Sequence, residues 1–290
     1  MKKQFYPILM CYIAILALSC NQKPTSSSIG VTDNSARIVS LNGTITEILC
    51  SLGLESKIQG VDVTSTYPES VTKLPKVGHN RDMSAEAIMG LKPTLVIGLD
   101  DNIKPELKEQ LRAANIRLML FHLDHSIAGA KSLIAQVADS LGSDDKAAAI
   151  CKGIDADTVG TMIFGARPKV LFIYARGAGT MLVAGKENAV NSMIVLAGGQ
   201  NAIKGFDDYK PLTSEALVTA NPDVILMFDK GLESVGGLPG LLQVQGIAQT
   251  NAGKNKKIIE MDGQLLTGFG PRVGKGLAEL SKKLNAAEKP

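Results

Sequence analysis

The chain has 290 residues, 45% of them hydrophobic and 20% charged, with a formal net charge of +3. That length suits one large domain or two smaller lobes, with room for a substantial core. So small a net charge, with no basic run or aromatic-interleaved basic patch, argues against a nucleic-acid partner.

The first residues read as an export leader. Met1-Lys2-Lys3 is positive, and the apolar stretch 6–18 is too short for a comfortable membrane span. It ends Ala17-Leu18-Ser19-Cys20, which resembles a lipoprotein signal-peptidase site, so residues 1–19 are expected to be a signal peptide and Cys20 the lipidated residue. Ordinary secretion with cleavage nearby is the alternative. Residues 20–35 are polar and rich in Ser and Thr, as a flexible tether should be. With Cys11 discarded, Cys50 and Cys151 remain. They could pair in an oxidising compartment or stay as two buried thiols; the apolar helical face under each favours thiols.

From Arg37 onward strands and helices alternate. "RIVSLN" reads as a strand, Gly43-Thr44 as a turn, and Thr44 or Thr46 as the cap of a helix "EILCSLG" that Gly53 ends. "KIQGVDV" is a second strand. "SAEAIMGL" is a helix capped by Ser84 and stopped before Pro93. "TLVIGL" is a third strand, and "PELKEQLRAANI" and "RLMLF" continue the alternation. Strands alternating with helices indicate a parallel sheet covered by helices, here a first lobe over 36–125.

Two helical stretches follow over 126–166, capped by Ser126 and by Ser143 or Asp144. The second, from Asp144 to Phe164, is roughly 20 residues or about 30 Å of helix, enough to span two lobes side by side. The second lobe, 167–290, repeats the alternation with "KVLFIYA", "AVNSMIVLAGG", "SEALVTA" and "DVILMF". One unit aligns without gaps. "MSAEAIMGLKPTLVIG" (83–98) matches "LTSEALVTANPDVILM" (212–227), with Glu86 on Glu215 and Pro93 on Pro222 at a constant offset of 129. The expected fold is therefore α/β: two Rossmann-like lobes with mainly parallel sheets, joined by a single long inter-lobe helix. Such a frame binds in its cleft with a small hinge motion. The carboxyl ends of the strands line that cleft. Tyr67 is then on the loop after "KIQGVDV", and Arg176 and Gly177 are on the facing loop after "KVLFIYA".

The combination "RIVSLNGTITEILCSLG", "VTSTYP", "LPKVGHNRDMSAEAIMGLKPTLVIG", "VAGKENAVNSMIVLAGGQNA", "YKPLTSEAL" and "TGFGPR" resembles the heme-carrying branch of the substrate-binding proteins of ABC importers. That group has relatives for corrinoids and ferric siderophores, and the resemblance runs from Arg37 to the C-terminal helix. It implies a monomeric extracytoplasmic protein, lipid-anchored on the periplasmic side or cell surface, and not an enzyme. Such a protein captures ferric heme in the cleft and hands it to an ABC permease dimer with its ATPase. A corrinoid or a ferric siderophore is the alternative cargo. A chelatase-like enzyme on the same frame is disfavoured by the leader and by the lack of a nucleophile–base pair.

Tyr67, before Pro68, resembles the axial iron ligand of that branch. Phenolate is a hard anionic oxygen suited to ferric iron. Deprotonation must be favoured by the iron or a nearby guanidinium. The plainer role is a tyrosine stacked on its proline. Arg176 stands where some heme-binding relatives carry a histidine ligand. A protonated arginine cannot coordinate iron, so the resemblance implies five-coordinate iron, with Arg176 paired to the phenolate or to a propionate. Tyr174 and Met181 are conceivable sixth ligands, with packing the simpler role. His79 and Arg81 are expected to line the cleft or approach a propionate. Tyr209 and Lys210 match positions near the cleft, where Tyr209 would stack on the porphyrin or pack beside the hinge. His122 and His125, with Asp124 between them, raise a zinc reading, but no third lobe-crossing histidine and no His-rich loop supports it, and Asp124 and Ser126 more simply start the next helix. The resemblance makes Glu86 and Glu215 docking contacts for arginines of the two permease subunits, and one carboxylate per lobe suits a twofold partner. Each also favours its own helix dipole. The glycines of "VGGLPG" and "ARGAG" lack a P-loop pattern and read as turns.

Overall fold

The computed structural model describes residues 35–79, 82–159, 167–177 and 179–288. The expected leader, tether and Cys20 lie outside the described residues, as does Arg81. Among the described residues no helix is long and apolar enough to cross a membrane.

The first lobe runs β1 (Ile38–Ser40), α1 (Gly43–Ser51), β2 (Ile58–Val61), a hairpin of β3 (Gly78–His79) and β4 (Asp82–Met83), α2 (Ala85–Gly90), β5 (Leu95–Leu99), α3 (Pro105–Ala113) and β6 (Arg117–Phe121). Its sheet has the order β2-β1-β5-β6 and is parallel throughout. β5 is buried along its whole length, as its unbroken apolar run requires of a central strand under helices. Asn42, not Thr44 or Thr46, caps α1, accepting from the N–H of Thr44 and Ile45. Both threonines are engaged elsewhere: Thr46 Oγ1 with Ser40 and Ser65, Thr44 Oγ1 with the Gly268 carbonyl.

α4 (Ile127–Leu141) starts at its Ser126 cap and ends at left-handed Gly142. α5 (Asp144–Thr158) begins after Ser143, whose side chain makes no cap bond. It is shorter than expected: Val159 has extended backbone, so the helix closes at Thr158, about 22 Å from its start. The remainder of the expected helix, 160–164, lies outside the described residues.

The second lobe comprises β7 (Lys169–Ala175), β8 (Met181–Ala184), α6 (Ala189–Leu196), β9 (Gln200–Asn201), β10 (Tyr209–Pro211), α7 (Ser214–Ala220), β11 (Val224–Phe228), α8 (Asp229–Ser234), α9 (Gly237–Gln243), α10 (Asn251–Lys254), β12 (Ile258–Met261), α11 (Gly263–Thr267) and α12 (Val273–Glu288). The sheet order is β10-β8-β7-β11-β12, with β9 also on β7. β7, β9, β11 and β12 run parallel, while β8 and β10 add an antiparallel edge. "VGGLPG" is a turn only at its start, because Gly237 already opens α9.

The repeat seen in sequence is repeated in backbone. β5 and β11 start and stop at the same offset. Ser84 and Thr213 each accept from the N–H three residues on, both at 3.1 Å. Lys92 and Asn221, the residues before the matched prolines, both have positive φ, at 48° and 35°. Ile88 and Leu217 are buried at matching positions, each contributing about 2–3 kcal/mol of burial. A single apolar cluster joins the lobes, running from Ile38 and Ile97 through Leu133 and Ile154 to Phe172, Leu226 and Leu280. α12 packs on α4, α5 and α6 within it. Cys50 and Cys151 are free and half-buried rather than fully buried. Burial pushes the Cys50 thiol up to about 12, helped by Glu55 and Glu47.

Candidate functional site

The loop after β2 is built by one buried carboxylate. Asp62 accepts from the Thr64 N–H at 2.9 Å, from Ser65 Oγ at 2.6 Å and from Thr64 Oγ1. Lys76 Nζ donates to the Ser65 carbonyl at 3.1 Å. The loop lies against the start of α1, where a side chain at Gly43 would place its Cβ 2.8 Å from the Thr64 carbonyl oxygen. The donors of Thr64 and Ser65 are thus satisfied within the turn, and Tyr67 precedes a cis Tyr67–Pro68 bond. Tyr67 is 43% exposed, whereas the other phenylalanines and tyrosines among the described residues are buried or half-buried.

Three side chains from elsewhere hold this tyrosine. Gln264 Oε1, on α11, accepts from the N–H and Oγ1 of Thr66, both at 2.9 Å, and from the Tyr67 N–H at 3.1 Å. The Arg272 guanidinium lies over the Tyr67 ring, its carbon 3.6 Å from the centroid, in cation–π geometry. Glu47, on α1, accepts from Arg272 Nη2 and from the Arg272 backbone N–H, both at 3.0 Å, and from Gln264 Nε2 at 3.2 Å. The Glu47 side chain is 5% exposed, and burial holds its carboxyl above the ordinary range, against the opposing pull of Arg272. Sequence reading missed Glu47, Gln264 and Arg272 as site residues. The available signals were a lone acid in the middle of the largely buried α1 and the arginine of "TGFGPR".

Arg176 meets a different ring. It follows β7, and its guanidinium carbon is 5.6 Å from the Tyr174 centroid. The guanidinium at Tyr67 is that of Arg272, while Arg176 lies over the tyrosine of the strand it follows. Tyr174 packs edge-on to Phe228 at 6.1 Å. Tyr174, Arg176, Gly177, Phe228 and Lys230 line a cavity of about 460 Å³ at the carboxyl ends of β7 and β11. Gly177 turns there with φ of 70°, its N–H donating to Ser234 Oγ at 2.9 Å.

The other expected site residues are scattered. His79 is half-buried on β3, opposite Asp82. Tyr209 is on β10 with its ring edge-on to Phe172 at 6.5 Å, a packing position. Lys210 is exposed, its Nζ 4.6 Å from the Phe206 centroid. Met181 is half-buried on β8. Glu86 and Glu215 are both exposed, in the first turns of α2 and α7. His122 sits between Asp101 and Asp124 in the open, while His125 packs edge-on to Phe269 at 5.4 Å and burial pushes its pKa down. Among the described residues no group of three or more His, Cys, Asp or Glu is arranged to hold a metal.

Two α/β lobes on a shared helical core, with loops gathered at the carboxyl ends of their strands, define the class of two-lobed ligand-binding proteins. The chain belongs to the periplasmic binding protein family, whose profile matches residues 38–265. It is similar to the apo form of the periplasmic heme-binding protein RhuT from Roseiflexus sp. RS-1. That match is 42% identical with a TM-score of 0.83, covering 87% of this chain and 99% of that one. The periplasmic heme-binding protein BhuT, solved with two hemes, is 35% identical with a TM-score of 0.81, covering 87% and 98%. The ABC transporter substrate-binding lipoprotein YvrC of Bacillus subtilis (strain 168), itself uncharacterized, is 28% identical over 255 residues, 86% of this chain and 79% of that protein.

Proposed function

We propose that this protein captures ferric heme in its inter-lobe cleft, with the Tyr67 phenolate on the iron, and delivers it to an ABC permease. The observation that carries this reading is an exposed tyrosine at a strand's carboxyl end beneath a guanidinium 3.6 Å from its ring. Phenolate is a hard anionic oxygen of the kind that ligates ferric iron. The heme-binding neighbours at 42% and 35% identity support the choice of cargo.

On the facing wall, Arg176 offers a guanidinium to a propionate, with Tyr174 and Phe228 as apolar surface for the macrocycle. His79, Arg81, Tyr209 and Lys210 are secondary candidates for the pocket. Glu86 and Glu215 are the docking carboxylates, one per lobe, and would chiefly set orientation and association rate. Cys20 carries the lipid anchor, on the periplasmic side or at the cell surface.

Titration of the soluble domain with hemin and with cobinamide tests the reading. Hemin should bind and cobinamide should not compete. Tight cobinamide binding without hemin binding would assign the corrinoid cargo instead.

A further inference from the structure

We infer that Glu47 is a positioning residue for the iron ligand: its buried carboxylate, on the first lobe, fixes Arg272 and Gln264, which together set the ring and backbone of Tyr67. This rests on the assignment of Tyr67 as the ligand. The geometry is that of a hub. Three N–H donors converge on the two oxygens of Glu47: the backbone N–H of Arg272 on Oε1, and Arg272 Nη2 and Gln264 Nε2 on Oε2. From there one arm reaches the face of the Tyr67 ring and the other reaches the N–H groups of Thr66 and Tyr67.

Arg272 does not hold this place on its own account. Its Nε is buried with no hydrogen-bond partner, a state that costs free energy and needs something to impose it. The carboxylate of Glu47 supplies that constraint. Glu47 is on α1, whereas Gln264 and Arg272 lie after β12, more than 200 residues on. The hub therefore ties the ligand's direction to the docking of the two lobes. Were the lobes to part, Tyr67 would lose both its guanidinium and its backbone clamp in one step.

Glu47→Gln is the direct test. An amide keeps the shape but offers one acceptor oxygen, so at least one of the three donors must face an NH₂ group. In the heme-free protein, amide hydrogen exchange at Thr66 and Tyr67 should quicken by about tenfold as their acceptor loosens. In the hemin-loaded protein, dissociation should quicken by about tenfold or more, the usual effect of losing an outer-shell partner, and the tyrosinate charge-transfer band should move. Gln264→Ala, which leaves the ion pair in place, should reproduce the exchange effect and serves should Glu47→Gln fail to fold. Unchanged exchange at Thr66 and Tyr67 in both variants would overturn the hub. So would quickened exchange with an unaltered band and an unaltered dissociation rate. Failure of the ligand assignment is a separate result: Tyr67→Phe would then leave the ferric spectrum of the wild-type protein intact.

Discussion

The two lobes agree in their scaffold and differ in their cleft walls. The units 83–98 and 212–227 share cap, positive-φ residue, buried aliphatic and exposed glutamate at one offset. The loops that face the cleft share much less. Each wall carries a tyrosine under a guanidinium, but the two pairs are built differently. Arg176 directly follows the strand that carries Tyr174, its guanidinium carbon 5.6 Å from that ring, and Tyr174 is packed on Phe228. Arg272 and Tyr67 come from opposite ends of the chain, 3.6 Å apart, on a loop braced by two further side chains. The repeat holds where the frame is built, and the lobes differ in the loops proposed to meet the ligand.

This contrast can be broken by substitution, and Arg272→Ala should have the largest effect. It leaves the Glu47 carboxylate buried without its ion, a loss of about 3–5 kcal/mol, read as a lowered midpoint of urea unfolding. Equal midpoints for the two proteins would mean that the pair is not the lobe-joining contact described here. Tyr67→Phe should keep wild-type stability and lose about a hundredfold in hemin affinity, close to 3 kcal/mol. The same change at Tyr174 should cost about threefold or less in a parallel titration, because its ring is committed to the wall. Equal losses at the two tyrosines would erase the distinction between the walls.

The shared scaffold gives smaller and matched effects. Ser84→Ala and Thr213→Ala should each cost about 1 kcal/mol by chemical denaturation, as equivalent caps. Glu86→Ala and Glu215→Ala should leave hemin affinity unchanged and slow uptake in a permease-reconstituted assay. A collapse of affinity in either would place that glutamate in the pocket.

Much of the frame was legible in the sequence. "KVLFIYA" coincides with β7 because a buried parallel strand is an unbroken apolar run bounded by polar residues, and "RLMLF" coincides with β6, a half-buried edge strand that keeps the same apolar run. The antiparallel edge of β8 and β10 was not expected. Its strands are short, and Pro211 in β10 is tolerated only because β10 is an edge strand. In the site, Tyr67 stood out through its turn and its proline. Its supporting residues did not, because Glu47 and Arg272 are 225 positions apart and only the packed lobes bring them together. The capping of α1 was misread for a related reason: Asn42 outcompetes two nearby threonines whose hydroxyls find tertiary partners.

The central claim is that Tyr67 is the residue on the iron. Its most direct test is the visible spectrum of the ferric-heme complex of the soluble domain, wild type beside Tyr67→Phe, at one pH. The wild-type complex should show a tyrosinate-to-iron charge-transfer band, and Tyr67→Phe should abolish it. A band that persists in Tyr67→Phe would contradict the assignment.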